Sequence, residues 1–199
     1  ATTWGGFPKP TLTYSWFRCD NPVSIKYSTQ PNGCFAILNS SGSSYTPVRA
    51  DSGKYLSLKT VAAQGLALTE IWSPTTDQVY ETPSFDSPPA VGSQHVLNGN
   101  ALATSIGVIR GVPEVTRTYA WYRCANQVNS DSAVVPAGCA VIAGATASSY
   151  EFVAADVGKY VLASVTITNE LGSAKRFTAS SVMVNSGPEN VSIPAPSTG

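Results

Sequence analysis

The chain has 199 residues, enough for one large or two ordinary domains, and no run of eighteen apolar residues that would span a bilayer. Charged residues make up only 12 %, and Lys+Arg 12 balances Asp+Glu 12, so nothing marks it for nucleic acid or an anionic membrane. Nine Tyr and four Trp in a background of Ser, Thr, Val, Ala, Gly and Pro favour short strands and turns over helices.

In chain order, the first predicted element is TLTYSWFRC (11–19), where Thr11, Thr13 and Ser15 alternate with Leu12, Tyr14 and Trp16, the period of a strand with two unlike faces. Trp4 and Phe7 precede it. A loop at 20–33 then runs from Cys19 to Cys34, and short strands are expected at CFAIL (34–38) and SYTPV (44–48). The turn ADSGKY (50–55) opens a longer strand, GKYLSLKTVA (53–62), followed by a Gly-containing turn and another strand.

From residue 116 the sequence repeats. TLTYSWFRCDNPV (11–23) lies over TRTYAWYRCANQV (116–128) at an offset of 105. Without a gap, the same offset aligns Pro31 with Pro136, Cys34 with Cys139, Tyr45 with Tyr150, and ADSGKY with ADVGKY (155–160). A register held over so many matches marks tandem copies of one domain of roughly a hundred residues. The second copy brings strand candidates CAVIA (139–143), SYEFV (149–153) and GKYVLASVTIT (158–168), and it is opened by PPAVGSQHVLNGNALATS (88–105). The expected fold is all-β: two tandem β-sandwich domains at 1–82 and 83–186, with a tail at 187–199. The first domain has no counterpart of the opening segment.

The two cysteine pairs are equally spaced, so repeat symmetry picks Cys19–Cys34 and Cys124–Cys139 from the three possible pairings. Such bridges could add up to about 3 kcal/mol each and point to an oxidising, extracellular compartment. A zinc site would call for CxxC spacing or nearby histidines, and His95 stands outside both pairs. Neither a metal nor another cofactor is expected. A catalytic triad would have to centre on His95, where no nucleophile elbow occurs, and Asp51 and Asp156 recur at one turn in both copies; the chain reads as a non-enzyme.

On the residues Trp16 and Trp121, the turn set Asp51, Gly53, Tyr55 and its counterpart Asp156, Gly158, Tyr160, the chain resembles immunoglobulin-like (Ig-like) domains. The motifs Y-x-W-x-R-C and A-D-x-G-K-Y are closest to Ig-like repeats of bacterial secreted and cell-surface proteins, of actinobacterial type. The resemblance implies a core Trp on the strand called C, and a Tyr that begins strand F and hydrogen-bonds across the corner. Where antibody-type domains carry the second Cys of their inter-sheet bridge, this chain has Ser57 and Leu162.

The resemblance also gives the tail a meaning. GPENVSIPAPSTG (187–199) aligns at offset 105 with the segment that opens the second copy. It is either the severed start of a further repeat or a donor strand for the incomplete first domain of the next molecule, with Pro188, Val191, Ile193 and Pro194 as contact residues. The expected function is a structural or interaction module of a surface assembly such as a filament, stalk or adhesin, with copies of itself, neighbouring repeats, a glycan or a receptor as partners. A carbohydrate-binding module, with Trp4, Phe7, Tyr27 and Phe35 as contact aromatics, and a phage virion surface protein are the alternatives. Asn39-Ser40-Ser41 and Asn190-Val191-Ser192 are N-x-S sequons.

Overall fold

The computed structural model describes residues 4–92 and 99–187. His95, Asn190 and the tail residues Pro188, Val191, Ile193 and Pro194 lie outside them. The chain divides into unit 1, Ala1–Glu81, and unit 2, Thr82–Gly199.

Unit 1 consists of β1 (Thr11–Cys19), β2 (Cys34–Ala36), β3 (Tyr55–Gln64) and β4 (Ala67–Trp72), joined as one antiparallel sheet in the order β2-β1-β3-β4. The β3–β4 hairpin closes through Gly65-Leu66, with Gln64 opposite Ala67; Gly65 takes φ 58°, the left-handed backbone that a tight hairpin turn needs. A 3-10 turn at Arg49–Asp51 precedes β3, and Gly53 bends the chain after it with φ 75°.

Unit 2 repeats this sheet and adds to it. Its strands are β5 (Glu81–Phe85), which starts on the last residue of unit 1, β6 (Ala90–Val91), β7 (Ala101–Ser105), β8 (Ile109–Val112), β9 (Thr116–Cys124), β10 (Cys139–Val141), β11 (Ser149–Glu151), β12 (Tyr160–Asn169) and β13 (Gly172–Phe177). The sheet β10-β9-β12-β13 reproduces β2-β1-β3-β4 strand for strand, and the sheet β11-β7-β6 faces it. Strands 1, 2 and 5 of this set in one sheet and 3, 4, 6 and 7 in the other form the Greek-key order of an Ig-like sandwich. A ribbon β5-β8 lies beside them; the sequence reading did not foresee it.

Alternation puts two unlike surfaces on each four-stranded sheet. In unit 2 the inner surface carries Trp121, Val161 and Ala163, buried under Leu102, Phe152 and Val184. Further along the same face Val165 and Ile167 pack with Val115 and, at the margin, Phe85, Ile106 and Ile109. On the outer surface Tyr122, Cys124, Leu162 and Phe177 form a second small core. Unit 1 builds the same outer core from Phe17, Cys19, Cys34 and Trp72.

Two expected strands differ between the copies. Residues 44–48 form no strand, whereas their equivalents at 149–151 are β11. The reason is pairing: β11 hydrogen-bonds to β7, and no strand stands in the place of β7 among the described residues of unit 1. CFAIL and CAVIA are each strands for only three residues, since Ile37 and Ile142 turn inward to bond the backbone of Trp16 and Trp121.

Candidate interaction surfaces

The repeated turn owes its form to a buried carboxylate. Asp156 is fully buried; its Oδ1 accepts from Arg123 Nε at 2.6 Å, and its Oδ2 accepts from the Tyr150 hydroxyl and the Val153 backbone N–H, each at 2.8 Å. Unit 1 repeats the set around Asp51, with Arg18 Nε at 2.8 Å, the Tyr45 hydroxyl at 2.8 Å and the Val48 N–H at 2.7 Å. One carboxylate thus ties the central strand to the 3-10 turn and to the segment before it. Burial pushes the Asp51 carboxyl up, but the Val48 N–H, Arg18 and Tyr45 together outweigh it and hold the group below its ordinary value. Desolvation raises Tyr45 and Tyr150, and the hydrogen bond to the neighbouring carboxylate adds to it.

Arg18, Arg123, Tyr45 and Tyr150 were missed as members of this site, although the sequence shows them: they recur at offset 105 inside the very motifs that define the repeat. Among the described residues the Tyr55 and Tyr160 hydroxyls make no hydrogen bond. The tyrosines that close the corner are Tyr45 and Tyr150, and Tyr55 and Tyr160 pack instead against the outer cores. Gly158, like Gly53, sits at the turn with a left-handed backbone and donates its N–H to Val184.

Both disulfides are formed as the symmetry of the repeat predicts, between Cys19 and Cys34 and between Cys124 and Cys139. Each joins residues directly opposite in neighbouring strands. The loop each closes does not hang free. In unit 1 it crosses to the far edge of the sheet, where Tyr27 pairs with Trp72 and Val23 with Thr75; in unit 2 Ser132 pairs with Phe177 and Val128 with Ser180. The loop therefore roofs the outer core. Replacing Cys124 and Cys139 together by alanine should lower the stability of unit 2 by about 3 kcal/mol, read from the denaturant midpoint of its transition. Reduction should then expose Phe177 and the edge of β13, because the closed loop is what returns over them.

The inner surfaces differ. Trp121 is 0 % exposed, whereas Trp16, at the same place in unit 1, is only half-buried. Both indoles donate to a backbone carbonyl at 2.9 Å, Gly42 for Trp16 and Ala147 for Trp121, and both lie against the Asp-binding tyrosine. Local geometry is thus conserved between the copies, and the difference lies in what covers the ring. Strand register places Leu12, Tyr14, Trp16 and Leu58 on one face of β1 and β3, all half-buried.

The four candidate aromatics are not brought together. Phe7 is 98 % exposed, so it joins no core within this chain; Trp4 is half-buried. Phe35, 65 % exposed, stands on the edge strand β2 opposite Arg18, and Tyr27 lies on the disulfide loop at the other edge. Among the described residues no ring contact joins any two of them. Asp20 and Glu70 are paired, with Lys54 at 2.8 Å and Lys59 at 2.5 Å. Among the described residues no three His, Cys, Asp or Glu side chains converge as a metal site, and no helix is long and apolar enough to cross a membrane. Asn39, of the first sequon, is exposed in a turn with φ 60°.

No family model and no curated protein matches the chain. Among solved structures it is similar to a chimeric titin Z1Z2-Z1Z2 tandem carrying a GRGDS peptide from fibronectin, at 15 % sequence identity over 92 % of this chain and 87 % of that one, with a TM-score of 0.28. The Ig-like assignment rests on the strand order and the buried corner described above.

Proposed function

We propose that the chain is a non-catalytic interaction module of an extracellular assembly, and that the inner face of unit 1 takes a β-strand from a second copy. The observation that carries this is the contrast between Trp121 and Trp16. The same sheet, with the same tryptophan in the same hydrogen bond, is sealed by β6, β7 and β11 in one unit and open in the other. An open face with half-buried Trp16, Leu58 and Tyr14 gains free energy when a strand covers it, at about 25 cal/mol for each Å² of apolar surface removed from water.

The occupant we assign is the segment 188–199 of another copy. At offset 105 it corresponds to 83–94, the stretch that holds β6, and Val91 of β6 packs on the Trp121 cluster. It would supply one covering strand, with Ala195 and Pro196 at the positions of Ala90 and Val91 and with Val191 and Ile193 as further apolar contacts just before them, leaving the place of β7 to a further segment of the assembly. The two disulfides fit an oxidising compartment, which supports a location outside the cytosol, on a cell or virion surface.

The test compares the chain with a version ending at Gly187, by light scattering and by acrylamide quenching of tryptophan. The full chain should associate as concentration rises, with quenching of Trp16 falling in step, and the shortened one should do neither. A full chain that stays monomeric up to roughly millimolar concentration would rule the reading out.

A further inference from the structure

A groove of about 970 Å³ runs along unit 1 between the start of the disulfide loop and the chain that leaves β4. Its size falls within the range of ligand sites, and it opens to solvent along its length. The repeat supplies an internal control for its walls, because every residue in it has an equivalent 105 positions later. Some are the same in kind and hold the fold. Thr75 Oγ1 accepts the Val23 N–H at 3.0 Å and Ser180 Oγ accepts the Val128 N–H at 3.0 Å, while Thr76 and Ser181 likewise each accept a β-strand N–H at 3.1 Å.

Val23 and Tyr55 also recur, as Val128 and Tyr160, but five further wall residues are particular to unit 1. Pro22, Pro74, Asp77, Gln78 and Tyr80 stand where unit 2 has Gln127, Ala179, Val182, Met183 and Asn185. Val182 packs against the core of unit 2, so the fold itself tolerates, and there uses, an apolar residue at the position of Asp77. Among the described residues no side chain or backbone group bonds the Asp77 carboxylate. Tyr80 is 49 % exposed although large and aromatic. Two rigid prolines, an open tyrosine and an unpaired carboxylate in one groove are not explained by the needs of the sandwich.

We propose that this groove binds a neutral carbohydrate. A sugar ring offers an apolar C–H face to an aromatic ring and a rim of hydroxyls that donate to a carboxylate; Tyr80 and Asp77 meet both. No lysine or arginine lines the groove, and Asp77 disfavours anionic ligands. A proline-rich peptide suits it less well. Proline has no N–H to give Asp77, so such a peptide leaves the carboxylate unanswered, whereas sugar hydroxyls can both donate to Asp77 and accept from the Tyr55 and Tyr80 hydroxyls and the second hydrogen of the Gln78 amide, whose first goes to the Gly53 carbonyl at 2.9 Å. The prolines make the wall rigid before binding, which reduces the entropy lost on capture. This site is independent of the inner face and of any assembly through it.

The experiment is calorimetric titration of the intact, oxidised chain with cello-, manno-, malto-, xylo- and chito-oligosaccharides, together with the peptide SIPAPST. At least one sugar series should bind with Kd on the order of 0.1–1 mM. Tyr80→Ala and Asp77→Ala should each weaken it by about tenfold or more, while Asn185→Ala at the equivalent place in unit 2 leaves it unchanged. Unaltered melting curves show that the variants remain folded, as expected for exposed positions, and Tyr80→Phe separates loss of the ring from loss of its hydroxyl. The proposal fails if no sugar binds up to about 10 mM, if binding survives both Tyr80→Ala and Asp77→Ala, or if the peptide binds and the sugars do not.

Discussion

Replacing Asp156 with alanine should destabilise unit 2 by about 3–5 kcal/mol, read as a lower denaturant midpoint for the transition that its lone tryptophan, Trp121, reports. The carboxylate is fully buried and answers three donors at once: the Arg123 guanidinium, the Tyr150 hydroxyl and the Val153 N–H. Its removal costs more than one bond, because it takes the acceptor from the Tyr150 hydroxyl and the Val153 N–H, takes the counter-charge from the partly exposed Arg123 guanidinium and empties the buried place of the carboxylate. Asp156→Asn keeps the shape and one acceptor oxygen, so a smaller loss is expected; equal losses would mean that the negative charge is the whole of the effect.

The same arrangement in unit 1 fixes a pH dependence. The Asp51 carboxyl is held below its ordinary value of 3.8, so the folded state binds its proton less readily than the unfolded chain. Its contribution is therefore complete above the ordinary carboxylate range and is lost as pH falls through the depressed value. Tyr45 works in the opposite direction. Its hydroxyl is raised above 10.0, so its contribution is complete below that pH and is lost as pH rises through the folded value. Stability of unit 1 should thus be level between the two limits and fall at both ends. In Asp51→Asn the fall at the acid end should shrink. An acid limb identical to that of the parent would show that other carboxylates carry it.

Much of this was legible in the sequence because the chain contains its own comparison. The 105-residue register exposed the repeat, the repeat fixed the disulfide pairing, and the alternation of Thr11 to Trp16 with the turn D-x-G-K-Y marked the sheet and its corner. Four things were hidden, each for a physical reason. The bonding of Asp51 to Arg18 and Tyr45 joins residues 33 and 6 positions away, and nothing local shows which side chains will converge. The loss of a strand at 44–48 depends on a pairing partner that the segment does not contain. The roofing of the outer core by the disulfide loop depends on three backbone bonds in each unit, in a stretch whose side chains differ between the copies, Tyr27 against Ser132 for one. The groove of unit 1 was hidden too, since residues 22–24 and 74–80 become neighbours only once the loop has crossed the sheet.

The second large effect belongs to the inner tryptophans, and it separates covered from uncovered sheet. Trp121→Ala should cost unit 2 about 3–5 kcal/mol, the sum of lost burial and a cavity under Leu102 and Phe152 that packed neighbours cannot fill. Trp16→Ala in an isolated copy should cost roughly half as much or less, because part of the ring already meets water and its removal leaves no enclosed cavity. If the two costs were equal in dilute solution, something within the same copy would have to cover Trp16, and the open face would not be a docking surface. If a strand from a second copy covers it, the comparison gains a concentration dependence, since a ligand that binds only the folded state adds to stability by mass action. The penalty of Trp16→Ala should then grow as protein concentration rises, while that of Trp121→Ala stays where it was, because its covering strands belong to its own chain.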